Sequence, residues 1–494
     1  MFVMEATAQK RPRPDTSTPA PPVPVTFSAL GRLKREFDFE RNANTSYPPG
    51  EMSWSLSRTL GFQRDPLTYL LDAYAKYGPV FTLRIFTVPV VFALGPEANH
   101  FVLVSDADKF RWREGALSDL IPLLGDGLLT TDGRYHRRSR QIMVPSFHRE
   151  RIALAGETMV EEINAAVGCL YEGQEFDIYS WTRQLALRIA MRALFGFDPD
   201  GREGQTAEDF ETALDYFSQD YFRQALRGPR TPFDRLVKAR GRLDSLIAEE
   251  FAARRTAGSD GDDDLLGMLM AARDGDGNGL SDTEIRDQVM TLLFAGHDTT
   301  TSTVTFLFHE LSKNPDALAP LLAEQDAVFG DRPATPADFT GDALPQLEMA
   351  IEETLRIYPP AWVGPRRVVE SFTLNGHQVP KGAQLSYSSW ASHHLPDVWP
   401  EPDAFRPERF SPENKKLIPK GAYIPFGGGS RTCIGMRFGQ MEIRAIATAI
   451  MRKWRLEGKA NYKLNIRQMP TLSPRDGMPM TVRSRGVAPT VLER

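Results

Sequence analysis

A helix with marked ends constrains this chain more than any other feature. Ser281-Asp-Thr-Glu284 forms a capping box, in which the serine hydroxyl and the glutamate carboxylate each satisfy a backbone N–H left open at a helix start. Asn314-Pro315 closes the run, because proline does not fit a helix interior. The spacing predicts a helix over 282–312, about 45 Å long at 1.5 Å per residue, enough to cross the whole molecule. Its middle is odd: apolar Leu292 to Ala295 gives way to Gly296-His-Asp-Thr-Thr-Thr-Ser-Thr303 before Phe306-Leu-Phe308. Glycine in a helix costs about 1 kcal/mol relative to alanine, and Asp and Thr compete for backbone hydrogen bonds. Two readings stand. The segment is a solvated break between core stretches, or Gly296 admits a ligand to the backbone where Asp298 and Thr299 supply a carboxylate and a hydroxyl on a loosened ladder.

The rest of the chain reads as mainly α with small β-sheets. Residues 80–86 and 90–94 suggest a hairpin, 150–360 reads mostly as helix, and short strand-rich stretches lie near 364–390 and 462–482. Residues 1–47 form a Pro/Thr-rich tail ahead of the Pro48-Pro-Gly50 hinge. That tail has too short an apolar run for a secretory signal, and no stretch reaches the ~20 apolar residues of a membrane span. A soluble cytoplasmic protein without a membrane anchor is expected. The net charge of -5 argues against binding nucleic acid through overall positive charge.

Asp274-Gly-Asp-Gly-Asn-Gly279 mimics the start of a calcium loop. The twelfth position is Ile285, with Glu284 one place early, so the closing bidentate carboxylate is missing and no calcium is expected. With only two cysteines, Cys169 and Cys433, a disulfide framework and a Cys-rich zinc site are both excluded. Cys433 stands out because it lies in Phe426-Gly-Gly-Gly-Ser-Arg-Thr-Cys-Ile-Gly435, just before a helical run. No Lys-Ser or Lys-Thr follows, which disfavours a nucleotide. A lone cysteine is often a small buried hydrophobe. Here exposed N–H groups, a helix N-terminus and Arg431 would stabilise a thiolate, and one thiolate suffices to ligate a haem iron.

These residues resemble the cytochrome P450 haem-thiolate family. Its Phe-x-x-Gly-x-Arg-x-Cys-x-Gly pattern is met by Phe426, Gly429, Arg431, Cys433 and Gly435. Glu353-Thr-Leu-Arg356, Pro407-Glu-Arg-Phe410 and Ala295-Gly-His-Asp-Thr-Thr300 match three further family motifs in order. The resemblance implies the family fold as a single domain over 48–494, with Cys433 as the iron ligand of haem b. It also implies a buried structural ion triad of Glu353, Arg356 and Arg409, although an (i, i+3) Glu/Arg pair alone reads as solvated surface. His136 and Arg140 stand where the family has Trp-x-x-x-Arg against the haem propionates. Arg366 takes a third propionate position, with Arg367 as the alternative, and His393 a fourth. Phe426, Arg431, Gly435 and Ala295 complete the cofactor set.

By the same resemblance, Asp298 and Thr299 organise proton delivery to O2, the co-substrate, and the activity is monooxygenation of a hydrophobic small molecule. A non-catalytic haem-thiolate sensor is the alternative, which would need neither Asp298 nor Thr299. Without a flavin domain in the sequence, electrons come from a ferredoxin or flavodoxin with its NAD(P)H-dependent reductase. A basic patch of Arg134, Arg137, Arg138, Lys415, Lys416, Lys420 and Arg437 would attract that acidic partner. Leu120, Leu124, Phe294, Trp362, Val363 and Thr471 are the implied pocket walls. Arg223, Arg227 and Arg230 would greet a fatty-acid carboxylate, with terpenoid, steroid and polyketide-like substrates as competitors. A monomer is expected.

Overall fold

In the computed structural model the helix that starts at the capping box runs Asp282–Lys313 with Ser281 as N-cap and Asn314 as C-cap, one residue beyond the expected end. Most of its residues are buried, on every side, as a helix must be when other elements surround it. The structure describes residues 29–198, 204–219, 223–224, 226–258, 264–274 and 277–485. Around the central helix pack the helices Ile178–Ile189, Pro232–Ala257, Pro315–Phe329, Pro345–Ile357 and Met436–Lys453, while Arg149–Gly168 packs on two of these, Ile178–Ile189 and Met436–Lys453. Most of the apolar core lies between them, with Phe195, Phe210, Phe306 and Phe339 fully buried. Among the described residues no helix is long and apolar enough to cross a membrane.

The β part sits to one side. Six strands pair in the order Gly50–Glu51, Val80–Ile85, Val88–Ala93, Gln384–Ser388, Val363–Val368 and Phe110–Arg111. The first hairpin turns at Phe86 and Thr87, earlier than the sequence suggests, and Pro89 lies within a strand opposite Arg84. Proline is tolerated there because the neighbouring strand Gln384–Ser388 begins its pairing only at Val90, so the absent N–H meets no central ladder. Strands also form near 466–484, as expected.

The chain is already folded at Ala29, ahead of the hinge at residue 48. Helix Ala29–Arg41 docks on the sheet because Glu36, 7% exposed, accepts two hydrogen bonds from Arg367 at 2.5 and 2.9 Å. Phe39 lies under the same guanidinium at 4.3 Å, and Glu40 pairs with Arg84. A buried ion pair of this kind is specific in geometry, so it fixes where the segment lies.

Candidate active site

The cysteine loop is a tight turn built on glycine. Gly427 and Gly429 have φ of +69° and +60°, and a Cβ at Gly429 would sit 2.2 Å from the Leu103 carbonyl, so only glycine fits. The Cys433 N–H closes the turn on the Phe426 carbonyl at 2.9 Å, and helix Met436–Lys453 starts directly after Gly435. Cys433 is exposed, and the protein packed around its thiol pushes it up from its ordinary value by desolvation. The Gly435 N–H and Arg140 pull the other way. Arg431 is not the cation that acts on the sulfur. It is spent on Asp132 at 2.7 Å and on the Thr131 and Leu128 carbonyls at 2.7 and 3.2 Å. Arg140 has that role, and a bound metal ion would supply the charge that local electrostatics do not.

Helix Gly133–Met143 carries Arg140 and, one turn earlier, His136. His136 is 4% exposed, and its ring has no protein hydrogen-bond partner among the described residues. Burial, then Arg431, Arg140 and Arg137, push it down to about 2, so it is neutral and able to donate one N–H. Arg366 is 2% exposed, bonds to the Pro365 carbonyl at 2.9 Å and has no carboxylate within ion-pair reach among the described residues. A buried guanidinium without a counter-charge is costly, and burial lowers its pKa. Arg367 is instead consumed by Glu36 and the Gly382 carbonyl, so it faces the N-terminal helix. The uncompensated Arg366, the neutral His136, Arg140 and a reachable thiol form a donor set that fits an iron porphyrin with two carboxylate arms.

Across from the loop, the central helix stays α-helical through Gly296 and the threonines. The hydroxyls of Thr299, Thr301, Thr303 and Thr305 donate to the carbonyls four residues back at 2.7, 2.8, 2.9 and 2.7 Å. The ladder is decorated, not broken. A Cβ at Gly296 would meet nothing within 4 Å, which leaves open space beside the backbone there, and Ala295 and Thr299 are both partly exposed. Asp298 is 2% exposed and accepts from Arg183 Nε at 3.2 Å, with His297 Nδ1 at 3.3 Å from the same oxygen. His297 packs edge-on against Phe210, and burial lowers it to about 4. The sequence gives no sign of Arg183, which lies 115 positions away on another helix.

Glu442 is a second residue that sequence reasoning missed. Buried, it accepts only the Thr300 hydroxyl at 2.9 Å among the described residues, and burial raises it to about 8, so it is protonated at neutral pH. The bond ties the central helix beside Thr299 to the helix that follows Cys433. Its signal was a carboxylate on the stripe of Phe438 and Ile446, at i−4 and i+4.

Glu353 and Arg356 are both 0% exposed and joined at 2.8 and 2.9 Å, and Arg409 reaches Glu353 at 3.2 Å. His393 does not face the cofactor set: its Nδ1 is bonded to the Arg356 carbonyl and its Nε2 accepts the Ile424 N–H. Leu124 is also not a wall. It is fully buried, and the adjoining Gly125 and Asp126 press on Asp287, two turns before Phe294. Leu120, 5% exposed, belongs to the same core. Trp362 is tied by its indole N–H to the Gln468 carbonyl, while Phe294 and Val363 are partly exposed and Thr471 keeps an unpartnered hydroxyl. The Asp274 loop is bound to protein: Arg138 donates to Asp274, Glu284 and the Gly279 carbonyl at 3.0, 3.0 and 2.8 Å. Asp276 lies outside the described residues.

The cytochrome P450 family matches the chain over residues 48–476. The chain belongs to the cytochrome P450 family. Among curated relatives, the P450 is 35% identical to cyclooctatin synthase of Streptomyces melanosporofaciens, over 83% of this chain and 90% of that one. It is 32% identical to cyclooctat-9-en-7-ol 5-monooxygenase of the same organism, over 84% and 90%. The retinoic-acid-bound cyanobacterial CYP120A1 superposes with a TM-score of 0.80 at 28% identity, covering 89% of this chain and 99% of that one. The cytochrome P450DA heme domain gives 0.79 at 27% identity, covering 89% and 98%. This P450 is therefore a monooxygenase of the family that uses haem iron and O2.

Proposed function

We propose that this P450 inserts one atom of O2 into a hydrophobic small molecule held beside Phe294, Ala295, Val363 and Thr471, with haem b ligated by Cys433. The observation that carries the reading is the pairing of two half-sites: a reachable thiol at the start of one helix, and Asp298 with Thr299 on the central helix bonded to it through Thr300 and Glu442. When bound, the haem supplies the reduction of O2. The protein's own residues do the rest. Arg366, His136 and Arg140 would hold the two propionates, and the open space beside the Gly296 backbone would leave room for O2. The Thr299 hydroxyl, oriented by donating to the Ala295 carbonyl, leaves its oxygen lone pairs to accept a hydrogen bond from a water or protonated oxygen beside it. Asp298 exchanges protons with solvent when it parts from Arg183, whose side chain is 23% exposed.

The relatives named for cyclooctat-9-en-7-ol and the structure bound to retinoic acid support a substrate with a large hydrocarbon frame. Arg227 stacks on Phe233 at 4.0 Å, and Arg223 donates to Gln219. Both lie on the exposed segment after helix Gly204–Ser218, which supports a carboxylate-bearing substrate less than the sequence did. For electron delivery, Arg137, Lys416, Lys420 and Arg437 are exposed and support docking of an acidic ferredoxin or flavodoxin, with Arg134 beside them. Arg138 and Lys415 leave the patch, because Lys415 pairs with Glu352 at 2.6 Å and Arg138 holds the Asp274 loop. The test is turnover under labelled O2 with a ferredoxin, its reductase and NAD(P)H against a panel of polycyclic and acyclic hydrocarbons. One labelled oxygen in the product supports the reading. Haem uptake and CO binding without product from any panel member would favour the sensor.

A further inference from the structure

Arg366 has two aromatic neighbours that the family motifs do not cover, Tyr387 with its ring 5.2 Å away and, closer, Trp112. The Trp112 ring lies against its guanidinium at 3.6 Å, and the Arg431 guanidinium stands 5.2 Å from the same ring. Trp112 is fixed in turn by its backbone N–H, which donates to Asp132 Oδ1 at 3.1 Å, and Asp132 is the carboxylate that pairs with Arg431. Arg113 N–H takes the other Asp132 oxygen at 2.8 Å. Two cations thus lie against one aromatic ring, and one carboxylate positions both the ring and the second cation. Two like charges drawn to one ring repel each other. An indole is the best neutral side chain for offsetting such repulsion, since its electron-rich face attracts both guanidinium groups at no cost of a second carboxylate. A carboxylate in place of the ring would neutralise Arg366 and compete with any anionic ligand.

We propose that Trp112 is a positioning residue for the haem carboxylates, stacking Arg366 beside Arg431 so that a buried, unpaired guanidinium stays aimed at a propionate. The inference rests on the haem reading above and extends it to a residue outside the family motifs. It explains why Arg366 is left without an acidic partner: its counter-charge is the ligand's, and the ring keeps the fork in place. The half-buried indole N–H has no protein acceptor among the described residues, so it is available to the same ligand.

The experiment is haem release from the full chain to an excess of apomyoglobin, for wild type, Trp112→Leu and Trp112→Phe, each loaded with native haem and with haem dimethyl ester, which lacks the propionate charges. With native haem, Trp112→Leu is expected to release it about tenfold faster or more, and Trp112→Phe to stay within about threefold of wild type. With the ester, Trp112→Leu and wild type should release alike. Equal release of native haem by Trp112→Leu and wild type overturns the proposal. A defect of the same size with the ester also overturns it, since the ring would then act by packing alone. Wild type that takes up no haem at all overturns the haem reading itself, and this inference with it.

Discussion

Replacing Glu353 by glutamine keeps the side chain's size and removes its charge, and the structure sets the cost. Glu353 has no exposed surface and accepts from Arg356 Nε and Nη2 at 2.8 and 2.9 Å, from the Arg406 N–H at 3.0 Å and from Arg409 Nε at 3.2 Å. A glutamine can satisfy one half of that set with its oxygen, while its amide hydrogens face guanidinium hydrogens in the other half. Arg356, also 0% exposed, then keeps one bond to the glutamine oxygen, the His393 and Ala404 carbonyls at 2.9 and 3.4 Å and the Trp399 face at 5.5 Å, none of which carries a negative charge. Two cations then remain around a site with no anion. Removing one partner of a buried pair costs about 3–5 kcal/mol, against a whole-protein stability of about 5–15 kcal/mol. Urea unfolding followed by far-UV circular dichroism should show a lower midpoint with an unchanged slope. The double variant Glu353→Leu, Arg356→Met should lose less than Glu353→Gln alone, because it removes the stranded charge as well as its partner. A loss under about 1 kcal/mol for Glu353→Gln, or a double variant worse than the single, would refute the reasoning.

Thr299→Ala should retain haem but divert NAD(P)H electrons to peroxide, measured as peroxide formed per NAD(P)H consumed; unchanged coupling to product would remove Thr299 from proton delivery. Arg366→Leu should release haem faster with little change in the docking of the N-terminal helix, whereas Arg367→Leu should free that helix to protease and leave haem release near wild type. The reverse pattern would exchange the two assignments. Glu442 is raised from 4.5 to about 8 on folding, so between those values the folded chain holds a proton that the unfolded chain has lost. Wild-type stability should therefore fall as pH rises through that window, and the melting temperature of Glu442→Gln should gain on wild type from pH 5 to 8. A difference independent of pH would mean that Glu442 is ionised in the fold.

Local grammar made much of this molecule readable in advance. The capping box and Asn314-Pro315 mark the central helix to within one residue, because caps satisfy backbone groups that nothing else nearby can reach. The cysteine loop is equally local: its glycines answer to positive φ and to one close carbonyl. What stayed hidden depends on partners distant in sequence. Arg183 reaches Asp298 and Glu36 reaches Arg367 across 115 and 331 positions, so a tail segment became a docked helix and one of two adjacent arginines was consumed. Arg138 and Lys415 look like free surface charge until the Asp274 loop and the helix carrying Glu352 fold against them. Leu124 has the composition of a pocket wall, and only the packing of Gly125 on Asp287 shows that it belongs to the core. The threonine run signals a loosened helix by propensity, yet each back-bonded hydroxyl uses a carbonyl already in the ladder, so the helix continues.

The account depends most on Cys433 being the residue that ligates haem iron. The direct test is the CO difference spectrum of the dithionite-reduced protein, for wild type and for Cys433→Ala supplied with the same haem. Wild type is expected to show the strongly red-shifted Soret band of a thiolate-ligated ferrous–CO haem, and Cys433→Ala to lack it. A wild-type band at the shorter wavelength of a neutral axial ligand, or a thiolate band that persists in Cys433→Ala, would contradict the assignment.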